Sequence, residues 1–299
     1  MLRDVILVPN KEGRLMTNRP RLPVDIGRDV RLERLDGGPA TRIMDACVPH
    51  GYKASPSNLS PLFSQRYAFV REGPPSEPAY EWDSDNRLQE CVGISRLIRP
   101  TSIGFEYSAR LECGPGGDVR RIIPGPVRGF GAEAWIVPTS HGDYLDEADV
   151  TALAELWQKT NLSSLPDRLQ RALWYHEYAA RTRLVPIRWV LITTGIETLI
   201  NTAKDRVSKQ FTVRFPALAQ RFAGLTVSAT KAGKAYGLRS EISHGTRLHD
   251  LRGEHLDLYR LLEEVLRATL RAAMTRRDVQ GLFSTAEAVE KEWPVPDTR

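Results

Sequence analysis

The chain is predicted to join a β-rich α+β domain, residues 1–146, to an all-α helical bundle, residues 147–281, ending in a tail, residues 282–299. Three observations predict this. Before residue 146, short apolar runs are punctuated by clusters of proline and glycine, the pattern of strands and turns. After it, apolar residues recur every three or four positions over long stretches, the period of amphipathic helices. Net charge changes at the same place: 19 Lys+Arg face 19 Asp+Glu up to residue 146, and 23 face 18 from residue 147 on, so the whole excess of +5 lies in the second part.

In the first part, residues 5–8, 24–26, 30–35, 67–71, 103–111, 119–123 and 132–137 read as strands. Gly37-Gly38-Pro39, Ser55-Pro56-Ser57-Asn58, Gly73-Pro74-Pro75 and Gly114-Pro115-Gly116-Gly117 read as the turns between them. One helix is expected over 85–98, where Leu88, Cys91, Val92 and Ser95 share a face and Pro100 follows the end.

The second part is expected to open with Asp146 as an N-cap, with Asp149 in the first turn and Val150, Leu153, Ala154 and Trp157 on one face. Ser164 is placed to cap the next helix, whose stripe is Leu165, Leu169, Ala172, Leu173, His176 and Ala180. Residues 187–200 are apolar nearly all round, which predicts a central, buried helix and makes its one carboxylate, Glu197, conspicuous. A shorter helix is expected over 214–222 after a polar stretch. Another is expected over 227–243, and a long closing helix over 254–274. The segment after Gly281, with Pro294 and Pro296, is expected to fray.

Composition bounds the function classes. At 41% hydrophobic and 26% charged the chain is ordinary for a globular protein. No apolar run nears the roughly 18 residues of a membrane span. The N-terminus lacks a basic region, a long apolar stretch and a small-residue cleavage site, so no secretory signal is expected. Cys47, Cys91 and Cys113 are odd in number and widely spaced, which suits reduced thiols in a cytoplasm and no disulfide framework. No metal or cofactor is expected. Neither Gly114-Pro115-Gly116-Gly117 nor Gly129-Phe130-Gly131 carries the Gly-Lys-Ser/Thr of a phosphate loop, and His50, His141, His176, His249 and His255 do not pair at metal-ligand spacing.

The stretch richest in chemistry is Tyr236-Gly237-Leu238-Arg239-Ser240-Glu241-Ile242-Ser243-His244-Gly245. Ala235, Leu238 and Ile242 share the face that packs inward, while Tyr236, Arg239 and Ser243 share another that can line a groove. Arg239 and His244 are five residues apart, about 140° around a helix. They can converge on one phosphate because the arginine is long and His244 lies where Gly245 stops the helix. Metal-free RNA cleavage needs a base for the 2′-hydroxyl, an acid for the departing 5′-oxygen and a cation for the phosphate. Histidine and arginine supply these roles. By itself the pair is equally an arginine on a surface and a histidine at a C-cap, where the helix dipole favours it.

The phrase formed by Tyr236, Leu238, Arg239, Ser240, Ile242, His244 and Gly245 resembles the signature of the Apea-like branch of the HEPN superfamily of ribonucleases. So does the upstream run Trp189-Val190-Leu191-Ile192-Thr193-Thr194-Gly195-Ile196-Glu197-Thr198-Leu199-Ile200, followed by a polar stretch and a helix bearing Arg214. The resemblance covers roughly residues 147–275. It implies a HEPN helical bundle, Arg239 and His244 as catalytic residues, and a metal-independent endoribonuclease whose composite site spans a homodimer. It also implies a role in antiphage defence, abortive infection or toxin action. Ser240 stands where the wider superfamily often has Asn, Asp or His. Glu197 can orient Arg239 or pair with Arg188 or Arg214. Gly195 stands where an alanine is expected.

Lys231, Lys234 and Arg247 flank the motif and either hold RNA phosphates or form a solvated face. Trp174-Tyr175-His176-Glu177-Tyr178 either packs in the core or stacks on bases. The N-terminal domain is a candidate sensor for a trigger molecule or selector of substrate. The alternative function is a HEPN scaffold that binds RNA or a protein without cutting. A DNA-binding regulator would need a recognition helix after a short turn, which the Gly245 stop does not resemble.

Overall fold

The computed structural model describes residues 1–8, 22–35, 37–47, 67–73, 87–104, 107–124, 145–245 and 251–296. The chain divides into two compact units, Met1–Gln158 and Lys159–Arg299. No helix among the described residues is long and apolar enough to cross a membrane.

The first unit is built on an antiparallel sheet of six strands: β1 (Leu2–Val8), β2 (Val24–Gly27), β3 (Val30–Arg34), β4 (Tyr67–Gly73), β5 (Ser108–Cys113) and β6 (Val119–Pro124), in the order β2-β3-β4-β1-β5-β6. Val5 pairs with Val70 on one side and Ala109 on the other, so these three point to one face. Ile6, Val5 and Leu7 are all buried because both faces are covered. Helix α1 (Gly37–Cys47) packs Ala40, Ile43, Met44 and Cys47 onto the face of Val5, Leu7 and Leu111. Helix α2 (Arg87–Ile98) lies against β4 and β1.

Helix α1 replaces the turn expected at Gly37-Gly38-Pro39. Proline has no N–H to donate, but the first turn of a helix leaves its N–H groups unpaired anyway. The run expected as a strand over 103–111 is narrower: residues 101–104 stay outside β5, and Ile103 lends its carbonyl to the buried guanidinium of Arg96. The turn at Gly114-Pro115-Gly116-Gly117 forms as expected, with Gly117 N donating to Gly114 O at 3.0 Å. The strand expected over 132–137 lies outside the described residues.

Helix α3 (Glu147–Lys159) begins at a reciprocal cap: Asp149 N donates to Asp146 Oδ1 at 2.9 Å and Asp146 N to Asp149 Oδ2 at 3.0 Å. Arg99, just past α2, bridges both carboxylates. Trp157 Nε1 donates to Gly27 O at 3.1 Å. Gly27 itself has φ +95°, and a Cβ there would meet Gln158 Cγ at 2.6 Å. The helix expected to open the second domain thus belongs to the sheet unit, and the division falls at 158/159.

The second unit is helical: α4 (Asp167–Ala180), α5 (Val185–Ile200), α6 (Val207–Leu218) running into a π-turn (Ala219–Ala223), α7 (Ala229–Ser243), α8 (Glu254–Thr275), α9 (Arg277–Leu282) and α10 (Ala286–Glu292). Trp189, Ile192, Ile196, Leu199 and Ile200 of α5 are fully buried, as its apolar run predicts. Gly195 is where α4 and α8 close in: a Cβ would meet Leu266 Cδ2 at 3.0 Å and Tyr175 Cβ at 3.3 Å.

Three expectations are corrected. Ser164 does not cap a helix. It closes a short 3₁₀ turn (Leu162–Ser164), its Oγ donating to Asn161 O, and α4 begins after Pro166. Helix α6 starts seven residues before the expected 214. Among the described residues, the segment after Gly281 is not frayed but forms α10, held by Arg214. That buried guanidinium pairs with Glu290 and donates to Ile200 O at 2.6 Å and Trp293 O at 2.7 Å.

Arg214→Ala leaves those carbonyls without a partner and is expected to cost about 3 kcal/mol of stability. Glu290→Gln, at the exposed end of the pair, is expected to cost under about 1 kcal/mol. Urea midpoints of the two variants check this order.

Candidate functional site around Arg239 and His244

Glu197 occupies a helix whose other buried residues are mostly apolar, and only 8% of it is exposed. A carboxylate withdrawn from water must be paired or protonated. Its partner is Arg239, whose Nη2 lies 3.2 Å from Glu197 Oε2. The other two arginines considered are engaged elsewhere. Arg188 Nε donates to Tyr259 Oη at 3.1 Å beside Glu263, and Arg214 meets Glu290.

The pair meets because α7 is docked on α5. Ala232, Ala235, Leu238 and Ile242 form its buried face, and Trp189 Nε1 donates to Ala235 O at 3.2 Å, one turn before Arg239. Ser228 caps the helix by accepting from Lys231 N at 3.1 Å. Tyr236 stands between the elements. Its hydroxyl donates to Glu197, the Arg239 guanidinium lies 5.9 Å from its ring centre, and its ring packs on Phe211 of α6 at 5.4 Å. Phe211 escaped sequence reading because it lies in the stretch read as polar; its spacing of four from Phe215, on which it stacks, was the available signal.

Burial pushes the Glu197 carboxyl above its ordinary range, although Arg239 and the Tyr236 hydroxyl pull it down. The Tyr236 hydroxyl is raised by its own burial and by the neighbouring carboxylate. The Arg239 side chain is 27% exposed, and its Nε is buried with no hydrogen-bond partner. The guanidinium meets Glu197 through Nη2, and part of the Arg239 side chain reaches solvent.

His244 is the C-cap of α7 and is exposed. Its N–H donates to Ser240 O at 3.0 Å, and Gly245 follows at φ +72°, where glycine is favoured. The Ser240 backbone thus closes the turn that presents His244. Arg239 and His244 stand about 7.5 Å apart along the helix axis. Lys231 and Lys234 are exposed but lie in the first two turns, ten or more residues before His244. They cannot share a phosphate with it. Arg247 lies outside the described residues. Trp174 and Tyr178 are exposed, so the core alternative for these two rings is corrected; His176, between them in sequence, is the buried one.

The division at 158/159 sharpens the charge contrast. Met1–Gln158 carries 19 Lys+Arg against 22 Asp+Glu, and Lys159–Arg299 carries 23 against 15, or −3 against +8. A unit of that sign suits a polyanionic partner or is an ordinary solvated surface. Among the described residues no group of three or more His, Cys, Asp or Glu is arranged to hold a metal ion. Compared with protein-family models, curated proteins and solved structures, the chain has no match in any of the three.

A carboxyl that binds its proton more tightly folded than unfolded loses stability for the fold as pH rises through its raised range. Glu197→Gln removes that proton. Wild-type stability is therefore expected to fall relative to the variant as pH is raised from about 4. Urea midpoints over a pH series measure the trend, and a rise instead would mean that the pairing with Arg239 outweighs burial.

Proposed function

We propose that the helical unit is a HEPN-type, metal-independent endoribonuclease whose composite site forms between two copies of the chain. The observation that carries this reading is the arrangement on α7: an arginine held by Glu197 and Tyr236, and an exposed histidine at the helix stop five residues beyond. The +8 charge of the unit and the resemblance of the Tyr236–Gly245 phrase to the Apea-like signature support it.

In the proposed reaction His244 of one copy takes the proton of a ribose 2′-hydroxyl. The freed oxygen attacks the adjacent phosphorus, and the bond to the 5′-oxygen breaks. The second copy's histidine, already protonated, gives that oxygen its proton. The products are a 2′,3′-cyclic phosphate and a 5′-hydroxyl. Arg239 holds the charge that grows on the phosphate oxygens. Bracing matters because a guanidinium fixed in place loses little freedom when it meets the phosphate. DNA lacks the 2′-hydroxyl and would not be cut. Within this reading the protein acts in the cytoplasm in antiphage defence, abortive infection or as a toxin, with the sheet unit receiving a trigger molecule.

One observation favours a second reading, a non-catalytic scaffold that binds RNA or a protein. Arg239 is already engaged by Glu197, as an arginine fixing α7 to α5 would be.

Purified protein incubated with total RNA in EDTA separates the two. The nuclease reading expects cleavage that leaves cyclic phosphate ends and falls by about 10²-fold or more in His244→Ala. Arg239→Ala is expected to lose cleavage as well. Equal cleavage by wild type and His244→Ala would refute the site, and binding without cleavage by the wild type would favour the scaffold.

A further inference from the structure

Six large hydrophobic side chains are strongly exposed among the described residues, and four of them belong to one helical hairpin: Trp174 and Tyr178 on α4, and Leu184 and Ile187 at the start of α5. Trp174 is 51% exposed and Tyr178 45%. Arg171, also exposed, precedes them at three and seven residues, so the three side chains line one strip of α4. The strip lies beside the one that the core uses, made of Leu169, Ala172, His176 and Ala179.

The two rings are set before any ligand arrives. Trp174 and Tyr178 lie 4.2 Å apart between ring centres with their planes 39° apart, and the Tyr175 ring centre stands 5.1 Å from Trp174 with its plane at 80°. Neighbouring rings that restrict one another lose little freedom on binding.

Charge decides what the strip suits. Of the five arginines in residues 167–188, Arg188 is buried beside Glu263, Arg168 donates to the Thr198 and Asn201 carbonyls, and Arg181 pairs with Glu177 at 2.8 Å. The exposed charges are Arg171 and Arg183 against Asp167. The phosphates of a nucleic acid would be attracted to the two exposed guanidiniums. Exposed π-faces interleaved with arginine are the combination on which unpaired bases stack.

We propose that Trp174 and Tyr178, with Arg171, form a stacking platform for the bases of single-stranded RNA. This deepens the function proposed above and rests on its premise that the helical unit takes RNA. The platform would engage bases, while Arg239 and His244 would act on the backbone.

The test is fluorescence anisotropy with a labelled 2′-O-methyl oligoadenylate of about 12 nucleotides, which cannot be cut by 2′-oxygen attack, beside an abasic strand of equal length. Trp174→Leu keeps an apolar side chain but removes the π-face, and Trp174→Phe keeps a ring. Thermal unfolding followed by circular dichroism checks that both fold as the wild type does.

The proposal expects Trp174→Leu to weaken oligoadenylate binding about tenfold and Trp174→Phe by less, with abasic-strand binding the same in all three. If wild type binds the oligoadenylate and neither Trp174→Leu nor Tyr178→Leu changes it, the platform is overturned while the RNA premise stands. Failure of the wild type to bind either strand overturns both. If Trp174→Leu instead shifts the sedimentation of the protein alone and leaves RNA binding intact, the strip is a protein interface and the platform is likewise overturned.

Discussion

A single carboxylate inside an apolar helix constrains much of the helical unit. Glu197 cannot be left alone on α5, because an unpaired buried charge is far more costly than a misplaced apolar group. The matching cation comes from α7, so that helix must lie where Arg239 can reach. Its small buried residues, Ala232 and Ala235, let it approach, and the Trp189 indole ties its backbone to α5. Tyr236 then has Glu197 on one side and Phe211 on the other, which draws α6 into the same cluster. One charge pair thus sets the positions of three helices and the direction in which the arginine points.

That pairing also bears on any chemistry at the surface. A guanidinium donates through one edge to a carboxylate and still presents other N–H groups, which an ammonium on a flexible stem would not do in a fixed direction. The burial that raises Glu197 makes the attraction to Arg239 stronger than it would be in water. An anion at the solvent side would meet a group already oriented but partly neutralised.

The sequence made some of this legible. The short apolar runs of β1 and β4 and the all-round apolar character of α5 predicted their elements directly. Helix α1 was hidden because Gly37-Gly38-Pro39 signals a turn more loudly than Ala40, Ile43, Met44 and Cys47 signal a helix, although that spacing is helical. Helix α10 owes its place to Arg214, a long-range partner that no local pattern announces. Helix α3 reads as amphipathic whichever unit it packs on, so its membership was fixed by long-range contacts, Arg99 bridging its capping carboxylates and Trp157 reaching Gly27. Within the candidate site, helical arithmetic placed Tyr236 and Arg239 on one face. Which arginine Glu197 would meet depended on how helices dock, which spacing does not contain. For α4 the rings were visible but their exposure was not: the outward strip through 171, 174 and 178 has the same period as the inward one through 169, 172 and 176, a step around the cylinder.

What selects between those strips is the absence of a side chain. At Gly195 the backbone of α5 leaves room for Tyr175 Cβ and the Ala172 carbonyl, within 3.3 and 3.5 Å of where a Cβ would stand. That close seat acts as an azimuthal stop. With Ala172 and Tyr175 turned inward, the neighbouring positions 174 and 178 have no direction left but outward. A methyl group added at 195 would press first on the Leu266 side chain at 3.0 Å and then on Tyr175 Cβ at 3.3 Å, and α4 would have to give by a few tenths of an ångström. Gly195 is in this sense an alignment key for the largest exposed ring of the unit.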